Sequence, residues 1–173
     1  MKLEVHQRLT ELSESSGKEY GKLVQKLLAI ALLEAGAEGV TDRCTQGIDL
    51  EATVKGVRRA IEIKTSESGQ ISLGRKDLDG LAARAAEGAR AYVAALGNRF
   101  LDEWTFARFH PGEWQPAQGY SITQLRPYRD AELERAVAKP FAEAVLAHAD
   151  AALRGGQHAL EAVLAGHAQY RRA

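Results

Sequence analysis

Two β-rich runs, "GIDLEATV" (47–54) and "VRRAIEIKT" (57–65), meet at Lys55-Gly56. Ile48, Leu50, Ala52 and Val54 alternate onto one side of the first, and Ile61 and Ile63 mark the second as β-rich. A tight turn at Lys55-Gly56 closes them into an antiparallel hairpin. In that register Val54 faces Val57, Thr53 faces Arg58 and Asp49 faces Glu62. A lone hairpin is marginal in water, so the rest of the chain must supply more strands and a cover.

The flanking segments do so. In "GKEYGKLVQKLLAIALLEAG" the residues Tyr20, Leu23, Val24, Leu27, Leu28, Ala31 and Leu32 form the stripe of an amphipathic helix, with Gly36 as its stop. "QISL" reads as a third short strand, "RKDLDGLAARAAEGA" as a helix capped near Gly74, and "AYVAALG" and "EWTFARF" as two further strands. "HPGEWQPAQG" is a loop, and "YSITQLRPY" is a short strand or an irregular connector. Residues 1–16 read as a polar lead-in with a short helix around "HQRLTELSES". From Asp130 onward the chain is rich in Ala, Leu and Glu. It reads as two or three helices with a corner at Gly155-Gly156, Pro140 being a kink or the first turn of a new helix. The order predicts an α/β core over 1–128 and a helical extension over 129–173. The extension's apolar residues, Leu133, Val137, Phe141 and Val145 among them, need burying, either as a dimer contact or as a cover for the sheet.

A chain of 173 residues with 45% hydrophobic and 27% charged residues is long enough for one real core. No apolar run reaches membrane-spanning length, the N-terminus is too polar for a signal peptide, and Cys44 is the single cysteine. These features predict a cytoplasmic protein without a membrane partner. The formal net charge is +0, so any nucleic-acid surface must come from clustering of the positive residues. The chain has no phosphate-binding Gly-rich loop, no dinucleotide fingerprint and no nucleophile elbow, and no nucleotide cofactor is expected. Histidines 148, 158 and 167 are scattered, and Cys44 reads as a packing residue.

Asp49 opposite Glu62 sets two carboxylates roughly 4.5–5.5 Å apart at Cβ, where like charges are destabilising. Each raises the other's pKa. A hard cation relieves both effects, and Mg²⁺ characteristically takes one or two carboxylates, several waters and phosphate oxygens. Lys64 lies on the same strand face as Glu62, placed to orient an attacking water and to stabilise charge in the transition state. The pattern suits metal-dependent phosphodiester hydrolysis.

Gly47-Ile48-Asp49, a hairpin and Glu62-Ile63-Lys64 together resemble the signature of the PD-(D/E)XK nuclease superfamily. The helix before them and the strand-helix-strand-strand order after them resemble archaeal Holliday-junction resolvases and other restriction-endonuclease-like proteins, over about residues 16 to 110. The resemblance implies a restriction-endonuclease-like fold and a Mg²⁺-dependent DNA endonuclease, with Mn²⁺ as substitute. It implies a central mixed sheet flanked by helices, acting on DNA as a homodimer and leaving a 5′-phosphate. Asp49 and Glu62 are then metal ligands and Lys64 the water-orienting base. Relatives usually carry a further acid directly after the helix's first aromatic. Here Gly21 follows Tyr20, and Glu19 is the nearest candidate. Junction cleavage, restriction or repair cleavage, and a catalytically weak DNA-binding or assembly module all remain open.

Positive residues gather around this motif. Lys18, Lys22 and Lys26 repeat every fourth residue, Lys26 reading as part of a solvated face. Arg58 shares Glu62's strand face, and Arg43 and Thr45 lie in the loop before Asp49. Arg75 and Lys76 open the helix after "QISL", where backbone amides add to their affinity for phosphate. Arg43, Arg58, Arg75, Lys76, Lys18 and Lys22 are the candidate DNA contacts. Ser66 and Ser68 read as a polar loop, and Glu51 as a supporting acid or a partner of a basic residue.

Overall fold

The computed structural model describes residues 2–16, 19–43, 47–97 and 103–173. Lys18, Cys44 and Thr45 therefore lie outside the described residues. At the centre stands a mixed sheet in the order β6-β5-β3-β2-β1-β8. Its strands are β1 (Gly39–Asp42), β2 (Leu50–Val54), β3 (Val57–Ser66), β5 (Arg90–Gly97), β6 (Trp104–Arg108) and β8 (Tyr170–Arg172). β3 and β5 run parallel, joined through α3 (Arg75–Ala86), and β8 runs parallel to β1; the other pairs are antiparallel.

The hairpin has the expected register, Val54 against Val57 and Leu50 against Ile61. Lys55 and Gly56 both take positive φ, 52° and 70°, the combination that suits the right-handed twist of a hairpin. The alternation fails at one residue. Leu50, Ala52 and Val54 belong to the core on one side of the sheet, whereas Ile48 packs with Leu78, Leu81 and Val93 on the other. The chain turns at Asp49, whose N–H donates to the Ile61 carbonyl at 3.0 Å instead of continuing the ladder opposite Glu62.

Helix α2 (Tyr20–Glu34) buries the predicted stripe and more. Lys26, Ala29 and Ile30 are buried too, so the helix is covered nearly all round. It lies in a middle layer, with the sheet beneath it and α4 (Ala131–Ala165) above it. Its fully buried Leu23, Leu27, Leu28 and Ile30 each contribute about 1.5–3 kcal/mol of transfer free energy. The expected lead-in is a full helix, α1 (Lys2–Ser16), whose Val5, Leu9 and Leu12 pack into the same core as α4. α4 runs straight through Pro140 and breaks at Gly156, which takes φ 58° and ψ −149°. The tail is not wholly helical, because Tyr170–Arg172 adds a strand beside β1. Leu133, Val137, Phe141 and Val145 share one core with α1, α2 and the sheet.

Two short strands, β4 (Gln70–Ser72) and β7 (Gly119–Ser121), pair with each other and not with the main sheet. With α3 and a 3₁₀ helix (Ile122–Tyr128) they cover the opposite face, over Ala60, Val93, Ala95 and Ala107. The outer border of β6 is met by the start of α4. Asp130 N–H donates to the Phe106 carbonyl at 2.9 Å, and Phe106 N–H donates to Glu134 Oε1 at 3.0 Å. No helix of the described residues is long and apolar enough to cross a membrane.

Candidate active site

Alternation along β3 sends Ile61 and Ile63 into the α2 core and leaves Ala60, Glu62 and Lys64 on the side of α3. Asp49 joins them from the turn before β2. One of its oxygens, Oδ2, accepts the Ile63 N–H at 2.7 Å, which ties its carboxylate to the strand that carries Glu62 and Lys64. Lys64 Nζ stands 2.8 Å from Glu62 Oε1 and 2.7 Å from Asp77 Oδ2. Asp77 also accepts the Gly74 N–H at 2.9 Å, the half of a capping box that an acid at the third helical position supplies. Glycine makes this approach possible. A Cβ on Gly80 would stand 1.8 Å from the Gly47 carbonyl oxygen, and Gly47 itself takes φ +99°. Backbone therefore lies on backbone where α3 meets the loop that delivers Asp49.

Between α2 and the end of β3 opens a cleft of about 250 Å³, lined by Gly21, Lys22, Gln25, Asp49, Glu62 and Lys64 with Ile63 and Thr65. Burial, and then the neighbouring Asp49, push the Glu62 carboxyl up to about 7. Burial raises Asp49 as well, against the opposing pull of the Ile63 N–H and Lys64. For Lys64, burial acts downward, but Glu62 and Asp77 outweigh it and hold the ammonium above its usual range. Two carboxylates, Glu62 buried and Asp49 half-buried, that both resist ionisation are a donor set suited to a hard cation. Among the described residues no group of three His, Cys, Asp or Glu side chains could hold a metal. Asp49 and Glu62 alone fit the Mg²⁺ habit of few protein ligands, with waters and phosphate completing the shell.

No protein-family model matches the sequence, and no curated protein matches it. Among solved structures it is similar to Hjc of Archaeoglobus fulgidus, a Holliday junction resolvase from an archaeal hyperthermophile. The two are 22% identical and superpose with a TM-score of 0.52, over 65% of this chain and 93% of the resolvase. The fold is nuclease-like. Likeness at this level of identity speaks for architecture, and the chemistry has to be read from the side chains.

The structure brings Asp49, Glu62 and Lys64 to one cleft, although Asp49 arrives from the turn before β2 and not from the ladder position opposite Glu62. Glu19 stands apart from the cleft lining. It is the exposed residue at the start of α2, and its Oε2 would lie 3.3 Å from a Cβ on Gly156. What α2 presents to the cleft is Gly21, Lys22 and Gln25. Lys22, Arg75 and Lys76 are exposed. Arg58 is engaged by Glu87 at 2.8 Å and Glu51 at 3.5 Å, and Arg43 by Glu51 at 3.2 Å. Glu51 is thus the partner of basic residues, Arg84 at 3.0 Å included. The solvated reading of Lys26 is overturned. Its ammonium is buried on the Asp42 carboxylate and lies 3.2 Å from Glu161, because α4 and β8 cover that side of α2. Sequence reasoning missed Asp77 and Gln25. Asp77 did carry a signal, an acid three residues after the Gly74 cap, but one that marks a helix start.

Proposed function

We propose that the protein is a Mg²⁺-dependent DNA endonuclease of the PD-(D/E)XK type, hydrolysing phosphodiester bonds in branched DNA as a homodimer. The observation that carries this is the pairing of half-buried Asp49 with buried Glu62, two carboxylates with raised pKa values beside the Lys64 ammonium, on a nuclease-like fold. Asp49 and Glu62 would hold the cation, Mn²⁺ serving as substitute. When bound, the cation supplies Lewis-acid activation of a water and neutralises phosphate charge. Lys64, held by Glu62 and Asp77, keeps a positive charge over the cleft and orients the water. Lys22 on the cleft wall and Arg75 and Lys76 at the start of α3 contact the phosphates. Arg43 and Arg58 reach DNA by exchanging Glu51 and Glu87 for phosphate. The Holliday junction resolvase neighbour supports the branched substrate.

A second reading, a binding module without catalysis, draws on the absence of a carboxylate among the three α2 residues that line the cleft. Labelled four-way junction, flap, duplex and single-stranded DNA, incubated with Mg²⁺ or Mn²⁺, separate the readings. Cleavage of the junction that disappears in Lys64→Ala is the expected outcome. Cleavage of another substrate keeps the site and makes the enzyme a restriction or repair nuclease. No cleavage by the wild type under either metal, with junction retained on a native gel, establishes the binding module.

A further inference from the structure

Behind the cleft lies a buried polar cluster that the proposed chemistry does not use. Asp42, 1% exposed, is its centre. Its Oδ1 accepts the Gln25 side-chain amide at 2.8 Å; its Oδ2 accepts the Tyr170 hydroxyl at 3.0 Å and also meets the Lys26 ammonium. Glu161 of α4 closes the cluster from the other side, 3.2 Å from Lys26 and 3.1 Å from Arg172. The same Gln25 nitrogen reaches the Asp49 carbonyl at 3.2 Å. That carbonyl also accepts the Arg43 N–H at 3.0 Å.

Gln25 therefore joins two things. On one side is the backbone carbonyl of a carboxylate that binds the cation in the function proposed above. On the other is Asp42, fixed by α2, by α4 and by the last strand of the chain. The turn at Asp49 has left the β-ladder, so its carbonyl depends on side-chain and loop partners for its orientation. Groups that orient a metal-ligating residue from behind typically change metal affinity about 10- to 100-fold when they are removed.

We infer that Gln25 is a positioning residue for Asp49, and that through Asp42 the C-terminal strand, by way of Tyr170, helps set the affinity of the cleft for a divalent cation. The inference rests on Asp49 being a metal ligand, and its test measures binding directly. Titrating the metal-stripped full chain with Mn²⁺, and following free Mn²⁺ by electron paramagnetic resonance, gives a dissociation constant without any DNA. Gln25→Met, similar in length but unable to donate, should weaken binding about 10- to 100-fold in a folded protein. Gln25→Asn keeps the amide one methylene too short to span both acceptors and should weaken it likewise. Tyr170→Phe should weaken it by a smaller factor. Combined with Gln25→Met it should add nothing, since Tyr170 reaches Asp49 only by way of Asp42 and Gln25. A purely structural role for the cluster lowers the melting temperature and leaves the dissociation constant of the folded variants unchanged. Binding within about twofold of wild type in both Gln25 variants, with binding abolished in Asp49→Asn, overturns the inference and leaves the metal site standing. Absence of Mn²⁺ binding by the wild type overturns both.

Discussion

Replacing Glu62 with glutamine should stabilise the metal-free protein relative to wild type, by an amount that grows between about pH 4.5 and about pH 7 and is level above it. Burial and the neighbouring Asp49 lift the Glu62 carboxyl from 4.5 to about 7 in the folded chain. Unfolded, it releases its proton at the ordinary value. Between those two pH values the folded state holds the extra proton, so stability falls as pH rises through that window and is level above it. At 1.36 kcal/mol per pH unit, the shift corresponds to about 3 kcal/mol lost by wild type and spared in Glu62→Gln. Urea unfolding of both proteins in chelator, at steps from about pH 5 to pH 8, reads the difference directly, and titrations common to both cancel. Excess Mg²⁺ should then reverse the ranking at high pH, because only wild type gains from the ligand. A wild-type-minus-variant stability that stays constant across the range refutes the reasoning.

Gly80→Ala should destabilise the fold even though alanine is the better helix former by about 1 kcal/mol. The new methyl would stand 1.8 Å from a backbone oxygen that no rotamer can move, so α3 must shift at a cost of about 1–3 kcal/mol or more. A melting temperature at or above wild type refutes that close approach. Lys26→Met strands the buried Asp42 carboxylate and should cost about 3–5 kcal/mol in urea unfolding. Adding Asp42→Asn should recover a large part of it; no recovery means the ion pair is not the source.

The hairpin was legible because its determinants are local. Lys55-Gly56 fixes the turn and the turn fixes the register as far as Leu50 opposite Ile61, while Asp49, just past the ladder, is tied to β3 by the Ile63 N–H. The stripe from Tyr20 to Leu32 was equally local. What escaped the sequence depends on residues distant along the chain. Lys26 repeats at the spacing of a solvated stripe, and nothing near it signals that Asp42 and Glu161 bury it. β1 has four residues and β8 three, too few for an alternation to register, and each is held by the other's backbone. Ile48 obeys the alternation in sequence and breaks it in space, because the chain leaves the ladder at Asp49. The contact between Asp77 and Lys64 is made by α3 closing over β3, which a helix-start signature does not convey.

The way α4 begins has a bearing on assembly. A sheet border with free N–H and C=O groups is a template on which another chain can add a strand. Here the Phe106 N–H is already taken by Glu134 and the Phe106 carbonyl by Asp130, and Glu134 is itself pinned by Arg129. The opposite border is β8, three residues ending in Arg171 and Arg172. Two copies joined by a continuous sheet through these borders would gain little backbone pairing. The homodimer proposed above would then be assembled from side-chain surfaces, and its interface would respond to substitutions there while tolerating changes along the sheet's rims.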